Sequence, residues 1–164
     1  MIRPTERFDV SWGDEYEVVS VKEEHKTDIA IFYNKTSAPL YKKDDGGNYE
    51  ECLYDIGRYF NHHSKLQRYE LSLEASTLVY QKQDQQLIAL CLISACGENG
   101  HIFNIFVDSK HRRKKLATKM IKRAMTILSD TFKNIDLEVE TDDPDMSLYE
   151  KLGFTRTSDE NAIQ

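Results

Sequence analysis

Apolar positions recur along the chain with two periods, and the switches between them outline its elements. Phe8, Val10 and Trp12 alternate with other residues, Gly13-Asp14 offers a two-residue turn and residues 16–21 read as strand, so a hairpin is predicted at the N-terminus. Residues 23–33 shift to helical spacing through Ile29, Phe32 and Tyr33. A loop is expected over residues 36–48, which hold Pro39 and Asp44-Asp45-Gly46-Gly47. Helical spacing returns over residues 49–61, where Cys52, Leu53, Ile56 and Phe60 cluster.

The second half is more regular. Residues 77–81 and 87–95 read as antiparallel strands joined through Lys82-Gln83-Asp84-Gln85, and the turn signal Gly97-Glu98-Asn99-Gly100 leads into a third strand, residues 101–107 (HIFNIFV). Leu116, Met120, Ala124, Ile127 and Leu128 mark one face of a long helix, with Lys119, Lys122 and Arg123 off that stripe. Ile135, Leu137 and Val139 then alternate with Asp136, Glu138 and Glu140 as a further strand. A last helix is predicted over residues 144–152, with Pro144 near its first turn and Gly153 at its stop. Several strands, one long helix, then strand and short helix predict an α+β (mixed α/β) sheet covered by helices. At 164 residues this is one domain, 1–164, with residues 1–14 contributing an extra N-terminal strand.

Composition narrows the class. With 40% hydrophobic and 30% charged residues the chain reads as globular, and no apolar run approaches the roughly 18–20 residues of a membrane span. MIRPTERFDV has no apolar signal region, and Cys52, Cys91 and Cys96 are odd in number and lack metal or redox spacing, so a cytoplasmic location is expected. His62-His63 has the wrong spacing for one helical metal face, and no metal is expected. Ser64, Ser72, Ser76 and Cys52 lack a recognisable nucleophile context. Asp44, Asp45, Glu50 and Glu51 read as a solvated loop that selects no acceptor.

Net charge is −6, yet eight of the 22 basic residues (Lys110, Arg112, Arg113, Lys114, Lys115, Lys119, Lys122, Arg123) fall in one short stretch. A local anion site is therefore expected, while nucleic-acid binding would need a broader basic face. The stretch follows a strand and opens a helix, where unpaired N–H groups converge and the helix dipole adds partial positive charge. Phosphate suits such a place.

Arg112-Arg113-Lys114-Lys115-Leu116-Ala117 resembles the acyl-CoA signature Q/R-x-x-G-x-G/A of the GNAT N-acyltransferase superfamily, and it follows an Ile-x-Val strand end, Ile105-Phe106-Val107. Leu137-Glu138-Val139 resembles that family's fifth strand, and residues 148–154 (LYEKLGF) resemble the helix after it. The resemblance implies a mostly antiparallel twisted sheet splayed between the family's fourth and fifth strands, with acyl-CoA in the gap. It implies acetyl-CoA as co-substrate, direct attack by an amine and no covalent enzyme intermediate. By the same resemblance the backbone of Ile105, Phe106 and Val107 holds pantetheine, and residues from Arg112 and Arg113 through Lys114, Lys115, Leu116 and Ala117 to Thr118 hold the pyrophosphate.

Three departures stand out. Lys115 replaces the first signature glycine, so a right-handed helical first turn is expected to present its N–H. Asp142, or its neighbour Asp143, falls where many members carry Asn. The family's seventh strand has no sequence after Phe154 to build it, so a truncated sheet is expected, its edge covered by the N-terminal hairpin or by a second subunit in a homodimer.

For the chemistry, the resemblance makes Tyr149 the proton donor to the thiolate. Glu138 and His101 are both candidates for the base, and a water relay is the third option. The implied activity is N-acetyl transfer to a primary amine of a small molecule or peptide. A catalytically weak CoA-binding or regulatory module is the alternative, and an acyltransferase toxin acting on charged tRNA is disfavoured by the acidic balance.

Overall fold

The computed structural model describes residues 1–37, 49–65 and 67–157. Six strands lie in one sheet in the order β1 (Ile2–Pro4), β6 (Asn134–Leu137), β5 (Gly100–Val107), β4 (Gln86–Ser94), β3 (Thr77–Gln81), β2 (Tyr16–Ser20). Neighbours are antiparallel except β5 and β6, which are parallel and joined by the crossover helix α4 (Leu116–Leu128). The observed architecture is the mixed α+β sheet flanked by helices that the pattern predicts.

β4 is apolar almost throughout because both of its faces are covered. Leu90 and Leu92 point toward α1 (Lys26–Ser37) and α2 (Tyr49–Ser64), burying Ile29, Phe32, Ile56 and Phe60 on that side. Ala89, Cys91 and Ile93 face the other way, onto α4 and α5 (Met146–Lys151), with Met120, Ala124, Met125 and Leu152. Gly100 lets α4 approach closely, since a Cβ there would stand 2.6 Å from Leu128 Cδ1.

Some boundaries differ from the pattern. A 3-10 turn, Glu23–His25, precedes α1, which runs on to Ser37, and the rest of the predicted loop, 38–48, lies outside the described residues. A seven-residue helix, α3 (Tyr69–Ala75), has no counterpart in the periodicity reading. It brings Ser72 and Ser76, which resembled no nucleophile, onto the end of β4, where their hydroxyls accept the N–H groups of Ala95 and Ile93 at 2.8 Å each. Pro144 stands outside α5, because Asp145 is its N-cap.

The predicted N-terminal hairpin does not form. The strand in this region is β1, and it pairs antiparallel with β6 at the far side of the sheet from β2: Ile2 opposite Asp136, Arg3 opposite Ile135, Pro4 opposite Asn134. Phe8 and Trp12 serve a different surface. Both pack against the core on the α4 side, with Phe8 N–H donating to Thr126 Oγ1 at 2.9 Å and Lys122 and Lys119 over the Phe8 and Trp12 rings. Their alternation reflects an extended chain lying along a helix, which shares its period with a strand. The β6 edge that the resemblance leaves open is thus paired within the same chain.

Candidate active site

The parallel pair opens into a gap. β6 is registered only against Gly100–Ile102, whereas β5 runs on through Val107, so Phe103–Val107 face a side where β6 is not paired to them. A bulge helps to turn the strand away: Leu92 opposes Asn104 while Ile93 opposes Ile102, leaving Phe103 as the extra residue. Ile105 and Val107 pack on the α4 side and Phe106 packs edge-on to Tyr33 on the other, so the three residues are anchored through their side chains.

Past the open end of β5 the chain makes a 3-10 turn, Ser109–His111, and enters α4. Arg113 (φ 62°) and Lys115 (φ 61°) are both left-handed, with Lys114 between them at negative φ. That alternation turns successive N–H groups to one side, as in an anion-binding nest. Among the described residues the N–H groups of residues 112–118 donate no hydrogen bond; the helix ladder starts with Lys119 N–H to the Lys115 carbonyl at 3.0 Å. The right-handed first turn expected at Lys115 is therefore corrected. Lys115 adopts the conformation a glycine would take there, at a cost of about 1–2 kcal/mol. Lys115→Gly is expected to raise the stability by about 1 kcal/mol, read from the urea midpoint. An unchanged midpoint would count against strain at this position.

The basic residues divide. Lys110 and Arg112–Lys115 are exposed around the nest, and Arg112 Nε reaches the Val107 carbonyl at 3.4 Å. Arg123 is drawn away, bonding Ser20 Oγ at 2.7 Å, Thr77 Oγ1 at 3.0 Å and the Glu74 carbonyl at 3.1 Å. His111 lies between Asp108 Oδ2 (3.3 Å) and Gln81 Oε1 (3.1 Å) and holds the loop to β3. Burial alone would lift the Asp108 carboxyl, but Lys35, the His111 ring and the Lys110 N–H together hold it below its ordinary value.

Tyr149 stands in α5 and is buried in the core that includes Ile102, Ile135 and Leu137. The helix end fixes it. Gly153 is left-handed (φ 87°), its N–H bonds the Glu150 carbonyl at 2.9 Å, Phe154 N–H bonds the Tyr149 carbonyl at 3.0 Å, and the Phe154 ring packs on Tyr149 at 6.2 Å. Among the described residues its hydroxyl has no hydrogen-bond partner, and it is not sealed from solvent. Burial, then Asp145 and Asp143, push its phenol above the ordinary 10.0, so it stays protonated far into the alkaline range.

The two base candidates lie differently. His101 faces its register partner Asp136 across β5 and β6, with Nδ1 2.6 Å from Oδ1, and Asn99 Nδ2 donates to Oδ2 at 2.8 Å. Glu138 is exposed one residue beyond β6 and has no hydrogen bond or ion pair among the described residues. Because Ile102, Ile135 and Leu137 point toward α4, His101 and Asp136 occupy the opposite face. Asp142 is exposed and Asp143 accepts the Asp145 N–H at 2.7 Å, which makes the latter a helix-start residue. Asp44, Asp45 and the side chains of Glu51, Cys52, His63 and Ser64 lie outside the described residues. Asp136 and Asn99 were invisible to motif reading, and only their register beside His101 marks them.

A family model described as an acetyltransferase (GNAT) domain matches residues 47–163. No match is found among curated proteins. Among solved structures, the chain superposes on a Pyrococcus horikoshii protein assigned as an acetyltransferase with TM-score 0.69 at 13% identity, covering 93% of this chain and 47% of that one. It thus spans about half the length of that relative. Glucosamine-6-phosphate N-acetyltransferase from Arabidopsis thaliana gives TM-score 0.58 at 19% identity over 87% of this chain and 93% of that one. A predicted acetyltransferase from Clostridium acetobutylicum, solved with acetyl-CoA, gives 0.58 at 17% identity over 88% and 92%. These likenesses concern the fold, and the family match covers well over half of the sequence. With a parallel strand pair that opens above a helix start of unpaired N–H groups, the chain belongs to the GNAT family of acetyltransferases.

Proposed function

We propose that the protein is an acetyl-CoA-dependent N-acetyltransferase that passes the acetyl group to a primary amine of a small molecule or peptide by direct attack in a ternary complex. The observation that carries this is the run of unpaired N–H groups at residues 112–118, ringed by Lys110 and Arg112–Lys115, directly after the open end of β5. Pyrophosphate would sit in that nest. Pantetheine would lie along Ile105, Phe106 and Val107 as an added strand, bonding backbone that β6 does not engage.

The thioester then reaches the narrow end of the gap, between two faces of different chemistry. The α1–α2 face carries His101 and, just past β6, Glu138, either of which would take the amine's proton directly or through a water. The α5 face carries Tyr149, protonated and with a hydroxyl that has no partner among the described residues, to supply the thiolate. Base and acid on opposite faces of a split sheet would let the amine enter on one side as the thiol leaves on the other.

If acetyl-CoA binds only the folded state, at about 100 times its dissociation constant it adds roughly 2.7 kcal/mol, or several degrees in melting temperature. Desulfo-CoA is expected to keep most of the shift. The Arg113→Ala/Lys114→Ala double variant should lose much of it, with the gap narrowing as salt rises. Thiol release from acetyl-CoA with simple amines, a diamine, an amino sugar and a short peptide tests transfer itself. No shift with any CoA species at millimolar concentration would overturn the reading.

A further inference from the structure

We propose that Asp136, held in place by Asn99, is the positioning residue that fixes His101 as the base of the acetyl transfer, reserving Nδ1 for a proton and leaving Nε2 free to receive one. This rests on the acetyltransferase reading above. His101 and Asp136 are direct partners in the only parallel ladder of the described sheet, one pair before the last registered pair, Ile102 and Leu137, where the gap opens. Their side chains are 35% and 31% exposed, so the ring is held yet remains reachable. An ionised carboxylate only accepts hydrogen bonds, so the 2.6 Å contact with Oδ1 requires the hydrogen on Nδ1. Oδ2 is taken by Asn99 Nδ2 at 2.8 Å, which stops the carboxylate from rotating away. The lone pair of a neutral imidazole then lies on Nε2.

Neither the other base candidate, Glu138, nor His111, nearby in sequence, has this arrangement. Glu138 has nothing that orients it among the described residues. His111 has both ring nitrogens engaged, by Asp108 and Gln81. In the transfer, the amine nitrogen bonds the acetyl carbon and its proton passes to His101 Nε2. The carbon–sulfur bond breaks, and the thiolate takes the Tyr149 proton. Solvent then restores both groups, with the Asp136 carboxylate beside the transient imidazolium.

The test is Asp136→Asn, read in two ways. In the parent, long-range ¹H–¹⁵N spectra of the neutral imidazole are expected to show a protonated Nδ1 and an unprotonated Nε2 for His101. In the variant, an amide that keeps its oxygen toward Asn99 turns its NH₂ toward Nδ1, so the hydrogen is expected to move to Nε2. Single-turnover transfer from acetyl-CoA to the fastest amine of the panel should fall about 10- to 100-fold, with the KM for acetyl-CoA nearly constant. Asp136→Glu should recover part of the rate. His101→Gln should lose at least as much, and the double variant no more than His101→Gln alone, because the two residues act through one proton.

A merely structural Asp136 would still move the tautomer, but its loss of rate and that of His101→Gln would multiply in the double variant. An unprotonated Nδ1 in the parent, parent-level turnover in Asp136→Asn, or losses that multiply in the double variant would overturn the proposal. Should the parent show the expected tautomer but release no thiol with any amine, the transfer reading fails instead, and the role of base with it.

Discussion

Tyr149→Phe is expected to lower kcat by about 10² or more while leaving the KM for acetyl-CoA nearly unchanged. The substitution removes one oxygen and keeps the ring that Phe154 packs against at 6.2 Å, so the helix end and the surrounding core should be preserved. No protein hydrogen bond is lost, because among the described residues the hydroxyl makes none. On the proposed mechanism, what disappears is a proton needed only as the carbon–sulfur bond breaks, an interaction of the transition state. If product release limits turnover in the parent, the loss appears in single-turnover rates. A parent-like single-turnover rate in Tyr149→Phe would assign the residue to packing.

The same residue links pH to stability. Its folded pKa lies above the unfolded value of 10.0, so the folded state favours the neutral phenol. That contribution is fully present below about pH 10 and is lost as pH rises toward the folded value. The parent should therefore lose stability above pH 10 more steeply than Tyr149→Phe, although Tyr59 and Tyr80, also raised by burial, keep part of the slope in both proteins.

Removal of residues 1–8 is expected to cost about 4 kcal/mol or more, seen as a melting temperature lower by roughly 10 °C or as loss of a cooperative transition. The deleted segment supplies the partner of β6 along Ile2–Pro4, the Met1 carbonyl for Leu137 N–H at 3.0 Å, and Thr5 N–H for the Lys133 carbonyl at 2.8 Å. It also tethers the C-terminal side of the core, since Ile2 and Thr155 exchange both backbone bonds at 2.8 and 2.9 Å. Arg7 pairs with Asp130, and Met1 and Phe8 cover part of the main core. Without these residues β6 becomes an open edge, and self-association is expected along with destabilisation. A monodisperse truncated protein with the parent's melting temperature would refute this account of the N-terminus.

Periodicity located the strands at Thr77–Gln81 and Gly100–Val107 and the amphipathic helix Leu116–Leu128, because there the burial of one face or of a whole strand repeats with the geometry of the element itself. Spacing between motifs was equally legible. A strand end, a basic helix start and a Tyr on a helix closed by Gly153 are all local features, and local conformation follows from neighbouring residues. Pairing is not local. Phe8, Val10 and Trp12 alternate like a strand, yet Phe8 and Trp12 pack on the α4 side, while Ile2–Pro4, too short to show a period, closes the sheet against β6, some 130 residues away in sequence.

The site divides along the same line. The chain itself marked the candidates for binding phosphate and for moving protons, because those capacities belong to side-chain chemistry and to the start of a helix. Only the tertiary structure decided that Lys115 takes a left-handed conformation, that Arg123 is claimed by α3 and β3 rather than by an anion, and that Asp136 stands beside His101. Each of those outcomes depends on what the fold brings opposite a residue, and a register between parallel strands leaves no trace in the sequence of either strand alone.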